Sequence, residues 1–220
     1  MDEIQPGLLH WTAYHDGIGA DVHSAFHAPS GTLVDPMVPL GGIEALERHG
    51  RPERVVLTSR HHFRHSDRFR EAFGIPVLCH EAGLYALDDD VRGYAFGDEL
   101  APGVTALEVG VLTPEETALH IAAGEGALTL ADAAQRGRHG ELAFMPDFLL
   151  GDDPRAVRDG LRAAFRRLCD EHEFATLLLA HGEPIVAVAC GVLRAGWLHS
   201  GSSRRSPVTL GWSAASASCS

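Results

Sequence analysis

The chain has few cysteines and none of them closely paired. Cys79, Cys169, Cys190 and Cys219 show no CxxC spacing, which argues against a zinc ribbon, and a chain of 220 residues needs no disulfide framework to hold a core. No apolar run reaches the roughly 18 residues a membrane-spanning helix requires. The opening segment MDEIQPGLLHW carries two acids and no apolar stretch, so it does not read as a secretory signal. Positive charge is also scarce: 18 basic residues face 30 acidic ones, for a net charge of -12. Polyanions are bound by clustered cations that neutralise phosphates, so this balance argues against nucleic acid and against an anionic membrane surface as partners. The expectation is a soluble cytoplasmic protein.

What is abundant is histidine, 14 residues, more than packing calls for. The rest of the composition, 45% hydrophobic and 22% charged, is that of one ordinary globular domain. The first third reads as β-rich, with GLLHWTAYH, DVHSAFHAP and GTLVDP separated by turn residues. Ile43, Leu46 and Gly50 give GGIEALERHG the spacing of a helix. RVVLTS (54–59) is a buried strand by its apolar run, and it empties into RHHFRH. SDRFREAFG (66–74) follows as a helix capped by Ser66 and closed by Gly74. IPVLCH, VTALEVG, ETALHIA and ALTLADAA read as further strands. From Asp153 to His172 an amphipathic helix aligns Val157, Leu161, Ala164, Phe165 and Leu168 on one stripe. TLLLAHGEPI closes the pattern as a strand and turn. Two β-rich halves, each followed by a helix, suggest two sheets packed between helices. No acidic residue follows Glu183 and the end of the chain is serine-rich, so residues 1–186 read as the domain and 187–220 as an irregular, disordered tail.

Chemistry gathers at three strand ends. His61, His62 and His65 follow the strand RVVLTS, Asp132 ends ALTLAD, and His181 ends TLLLAH. Imidazole and carboxylate together suit zinc, iron or manganese. His10, His15, His23 and His27 read instead as surface or satisfied turn residues, and His120 as facing away from any site.

These segments carry a resemblance. LTSRHHFRH (57–65) resembles the metallo-β-lactamase superfamily segment LTHxHxDH with one extra residue, and LTPEETAL (112–119) resembles its HTPGSxAL. TLADAA (129–134) is similar to its strand ending in GDA, LLAHGEP (178–184) to its terminal GHGxP, and GTLVDP (31–36) to its GxxLIDP. The matches run in order over about residues 5–185. The resemblance implies an α/β (α+β) four-layer αββα sandwich and a metal-dependent hydrolase.

The departures are as informative. In that register the first metal histidine falls on Arg60, the aspartate on Arg64 and the histidine of HTPGS on Leu112. In the family one metal uses the positions of Arg60, His62 and Leu112, the other those of Arg64, His65 and His181, and Asp132 bridges both. His62, His65, Asp132 and His181 therefore remain as implied metal ligands, with His62 and Asp132 as implied catalytic groups. His61 enters only if the register slips by one residue, which would turn its side chain the other way.

Two inward guanidiniums would leave the pocket at about +1, where an intact family site carries about −2. A dication at roughly 4 Å from one of them would meet several kcal/mol of repulsion. The expectation is thus a degenerate site with at most one zinc, iron or manganese, hydrolysing a small ester- or thioester-type substrate. The competing reading is a non-catalytic relative whose cationic pocket (Arg60, Arg64, His62) binds a small anion. In its plainest form Arg60 merely pairs with Asp132.

Overall fold

Side chains that alternate along a strand face opposite sides of a sheet, so the two faces each strand buries decide the layering. The computed structural model describes residues 1–137, 139–187 and 189–195. The first sheet contains β1 (Asp2–Gln5), β2 (Leu8–His15), β3 (Ala20–His27), β4 (Thr32–Val34), β5 (Arg54–Val56), β6 (Val77–His80) and β7 (Arg92–Tyr94), in that spatial order. Its strands are antiparallel as far as β4 and parallel from β4 to β7. The second sheet is built from β8 (Glu99–Ala101), β9 (Val104–Glu108), β10 (Thr117–Ile121) and β11 (Ala127–Leu130). A small ribbon of β12 (Gln135–Arg136) and β13 (Leu142–Ala143) follows. Then β14 (Thr176–Leu179) joins parallel to β11, giving the order β14-β11-β10-β9-β8.

The sheets pack face to face. Leu8, Ala25, Val34 and Val56 of the first meet Val104, Ala106, Leu119, Ile121 and Leu178 of the second. Outside the first sheet, α1 (Ser66–Phe73) presses the fully buried Phe69 against Leu33, Val55 and Val77. Outside the second, α2 (Pro154–Glu171) lays Leu161, Phe165 and Leu168 on Leu128, Leu130, Leu177 and Leu179. Strand β14 shows the pleat at work: Leu177 and Leu179 face α2 while Leu178 faces the other sheet. This is the αββα sandwich that the sequence implied. Burying a side chain such as Phe165 is worth about 1.5–3 kcal/mol, and truncating it to alanine costs about 3–5 because a cavity is added.

Local chemistry explains the helices. Asp153 caps α2, its Oδ1 accepting from the Ala156 amide at 3.0 Å, and Pro154 occupies the first turn, where a missing N–H costs nothing. Gly74 ends α1 in the left-handed region (φ 67°), its amide bonded to the Arg70 carbonyl at 2.8 Å. Three expectations need correction. Ser66 is not a cap: it is the first residue of α1, and its hydroxyl is buried without a partner. The preceding turn already supplies the acceptor, since the Ser66 amide bonds the Phe63 carbonyl at 2.9 Å. The helix expected around Ile43–Leu46 is a single 3-10 turn, in which only Leu46 is buried. The irregular tail expected from 187 onward is interrupted by α3 (Ala189–Ala195), whose Leu193 is buried in the α2 core. The remainder of that tail, 196–220, lies outside the described residues. Among the described residues no helix is long and apolar enough to cross a membrane.

Candidate metal centre

Parallel strands deliver their carboxyl ends to a common edge, and the segments beyond those ends are free to shape a site. Asp35 follows β4, Thr58 and His62 follow β5, Asp132 follows β11 and His181 follows β14. Ser59 accepts from the His61 amide and starts a 3-10 turn over Arg60–His62, which swings His62 under the cleft. His62, Asp132 and His181 each present a donor atom, all within 4.8 Å of one another. The Asp132 Oδ1 lies 3.4 Å from His62 Nε2 and 3.1 Å from His181 Nε2.

Asp35 fixes this arrangement from behind. Its Oδ2 accepts from His62 Nδ1 at 2.9 Å and from the Thr58 hydroxyl, and its Oδ1 accepts from the Thr58 amide at 2.8 Å. The Asp35 backbone is itself left-handed (φ 45°), a conformation that aspartate tolerates better than most residues. With Nδ1 committed to a carboxylate, His62 turns Nε2 toward Asp132 and His181, the outer-carboxylate arrangement that orients metal-binding imidazoles.

Charge in this group is tightly balanced. Burial opposes a charge on His62, but Asp132 and Asp35 together outweigh it and raise its pKa to about 9. Burial would likewise raise Asp132, yet His62 and His181 hold its carboxyl well below the usual range. Asp35 is also held low against its burial, by His62 and then Arg64. His181 is lowered, chiefly by burial. Behind Asp132 the buried Glu116 is pushed up to about 8, first by burial and then by the Asp132 charge.

The other expected residues fall elsewhere. His65 is not a member of the cluster. Arg64 adopts a left-handed backbone (φ 47°) that turns the chain between His62 and His65. His65 stands at the start of α1, its Nδ1 accepting from the Val38 amide at 3.1 Å. Arg60 does not join an anion pocket, nor does it reach Asp132. Its Nη1 pairs with the fully buried Glu115 and its guanidinium lies over the Tyr85 ring, 5.4 Å from the centroid. Arg64 does face the cleft. Its Nη1 donates to the carbonyls of His23 (2.7 Å) and Asp35 (2.8 Å), while Nη2 is buried without a hydrogen-bond partner. Leu112 and His61 line the cleft. His120 bonds the Glu173 carbonyl at 3.0 Å, away from the site as expected.

Two expectations about the N-terminal histidines were wrong: His10 and His23 are buried within strands and bonded to each other at 2.9 Å. Asp35 was missed as a site residue. Its signal was present in GTLVDP, an aspartate directly after a buried parallel strand, and only the ring it orients makes it functional.

The cleft has a volume of about 400 Å³, within the range of small-molecule sites. His61, His62, Arg64, Asp132 and His181 supply its polar wall, and apolar side chains including Val22, Leu112, Met145 and Leu149 supply the rest. The donor set fits one divalent cation: two imidazole nitrogens and a carboxylate oxygen converge, and an outer carboxylate fixes one ring. Charge fits too. With Arg60 neutralised by Glu115, the groups facing the centre are Asp35, Asp132 and Arg64, which leaves about −1 with both imidazoles neutral. Arg64 and Leu112, which also line the cleft, offer no lone pair to a cation.

No protein-family model matches the chain, and no curated protein does either. Solved structures do match. DIM-1 metallo-β-lactamase superposes with a TM-score of 0.66 at 13% identity, covering 89% of this chain and 93% of that one. TTHA1623, solved in a di-iron-bound form, gives 0.60 at 19%, covering 80% and 94%. A metallo-β-lactamase family protein from Thermus thermophilus gives 0.58 at 17%, covering 87% and 78%. Likeness at these identities establishes architecture: the chain has the metallo-β-lactamase fold.

Proposed function

We propose that the chain is a hydrolase acting on a small ester- or thioester-type substrate with a single divalent cation, zinc, iron or manganese, held by His62, Asp132 and His181. The observation that carries this reading is the convergence of those three donor atoms within 4.8 Å, with Asp35 bonded to the far nitrogen of His62. A cation held there would supply Lewis acidity, polarising the substrate carbonyl and acidifying water. The chain's own residues do the rest. The apolar wall of Val22, Leu112, Met145 and Leu149 takes the acyl group and keeps bulk water off the reacting carbon. The unpartnered Arg64 Nη2 donates to the oxygen on which negative charge builds. Asp132 accepts a hydrogen bond from the attacking water and orients it toward the carbonyl carbon. His62 is held in one orientation by Asp35, so the donor geometry needs no rearrangement during turnover.

The competing reading draws support from Arg64 as well. A buried guanidinium nitrogen with no partner, beside a ring that holds its proton up to about pH 9, would bind a small carboxylate or phosphate without hydrolysing it. Arg60 takes no part in this version, being paired with Glu115.

Elemental analysis of protein purified without chelator separates the two. The hydrolase reading expects wild-type protein to hold one more zinc, iron or manganese per chain than His181→Ala, with parallel loss of activity on short acyl esters and thioesters in that variant. Thermal stabilisation by phosphate, with wild type and His181→Ala holding the same amount of metal before and after adding zinc, supports the anion pocket and rejects the hydrolase.

A further inference from the structure

A second group of donors lies on the far side of the loop that carries His181. In the β2–β3 hairpin His10 pairs with Ala25 and His23 with Thr12, which puts the two histidines on the same face as diagonal neighbours. That face points between the sheets, where Leu8 and Ala25 sit further along the same strands. The two rings lie nearly parallel, with centroids 5.1 Å apart and an interplanar angle of 15°, and His10 Nε2 lies 2.9 Å from His23 Nδ1. Both rings are buried, and burial lowers both pKa values, His23 to about 4. They are therefore neutral at ordinary pH, and each has a lone pair to offer. Glu183 approaches from the opposite sheet. One donor atom from each of His10, His23 and Glu183 falls within 4.8 Å of the other two. Glu183 is exposed, which leaves a route in from solvent, and none of the ion pairs among the described residues uses its carboxylate.

We infer that His10, His23 and Glu183 form a second, separate transition-metal site that clamps the His181 loop to the first sheet. Two imidazole nitrogens and one carboxylate oxygen select zinc, copper(II), nickel or cobalt, and disfavour magnesium and calcium, which take oxygen donors. A tetrahedral ion bound at about 2.1 Å holds two donor nitrogens roughly 3.4 Å apart. With centroids 5.1 Å and nitrogens 2.9 Å apart the two nitrogens meet head-on. To reach that geometry they part by about half an ångström, and each ring turns by roughly 35° to aim its lone pair at the ion. Water would fill the fourth position.

The loop explains what such an ion would do. The Ala180 carbonyl accepts from the His23 amide at 3.0 Å, His181 enters the main centre, and Glu183 enters the second one. The Arg136 amide bonds the His181 carbonyl at 2.9 Å, and its guanidinium bonds the carbonyl of Pro184 at 3.1 Å. An ion bridging Glu183 to β2 and β3 would fix a side chain of this loop that otherwise hangs in solvent. The Arg64–His23 carbonyl bond links the same hairpin to the cleft.

The site is tested apart from the main centre by disabling that centre first. Full-length chain carrying His62→Gln and Asp132→Asn is dialysed against micromolar zinc chloride and its metal content measured. It should keep one zinc per chain, and adding His10→Gln with His23→Gln should remove it. A single Glu183→Gln, at an exposed position, should weaken zinc uptake by at least about tenfold, since a direct ligand counts for no less than the outer partners of a metal site. Circular dichroism of each variant confirms that the fold is kept. The inference is overturned if the chain without the main centre holds no zinc, or if zinc persists unchanged after loss of His10 and His23 or of Glu183. In either case the close histidines are only a hydrogen-bonded pair. Retention of metal by the main centre alone would leave the hydrolase reading standing.

Discussion

The two flanks of the cleft start from similar material and end in opposite states. On the Asp132 flank, strand ends bring His62, Asp132 and His181 to a shared point, and Asp35 orients the deepest ring. On the Arg60 flank, the chain after β5 and before β10 also supplies a cation and a buried acid, but these find each other. Arg60 is locked onto Glu115 beneath Tyr85, and Leu112 presents only an apolar wall. Residue type at a strand end therefore does not decide whether a side chain can act on a ligand; its nearest partner does. The ion pair also removes the charge that would have repelled a cation, so the two flanks depend on each other.

The comparison breaks most visibly at Asp132, the residue both imidazoles share. Asp132→Ala should weaken zinc binding by more than about 100-fold, beyond the 10–100-fold typical of outer partners, and abolish hydrolysis, as metal titration and an ester assay would show. Across the cleft, Glu115→Ala should do the reverse. It strands the largely buried Arg60 guanidinium, which should cost about 3 kcal/mol of stability in denaturant unfolding. The zinc affinity of the folded fraction should fall far less than in Asp132→Ala, by the repulsion of an unneutralised Arg60 alone. Equal damage to metal affinity from both substitutions would erase the distinction between the flanks. Asp35→Asn is intermediate. The amide is a weaker acceptor for His62 Nδ1–H, so metal affinity should fall about 10- to 100-fold with the ligands themselves untouched.

Much of the fold was legible because each segment states its own periodicity: the stripe Leu161, Ala164, Phe165 and Leu168 is α2, and the apolar runs before Asp132 and His181 are β11 and β14. Motif order then supplied the layering. The candidate site was legible where a donor directly follows a strand end, as Asp132 and His181 do, and where the motif resemblance picked out His62 in the turn after β5. His65 failed because one left-handed residue, Arg64, turns the chain in a way no spacing rule reports. Arg60 failed because its partner lies 55 positions away along the chain. Asp35 was overlooked for the same reason, since its role exists only through His62. The burial of His10 and His23 was missed because a polar residue on an inter-sheet face contradicts the alternation on which strand reading relies.

The finest test within the Asp132 flank asks which cation occupies His62 Nε2. In metal-free protein that nitrogen carries a proton, and the flanking carboxylates raise the ring to about 9 from its ordinary 6.5. The charged ring therefore contributes its full stabilisation below pH 6.5, and the contribution is lost as pH rises through about 9. Unfolding releases one proton from His62 in that window, so this ring makes the stability of the metal-free chain fall with pH at up to about 1.4 kcal/mol per unit. Glu116, raised to about 8, adds a fall of the same sign below pH 8. A divalent cation on the same nitrogen excludes the proton, so the zinc-loaded chain should lose the His62 share of that fall, and zinc affinity should increase over the same pH range. Urea unfolding at pH 6, 7.5 and 9, with and without zinc, reads both curves. Parallel curves would mean that metal and proton do not compete for His62, and the ring would then be a buried structural imidazolium between two carboxylates, like Arg60 on its glutamate.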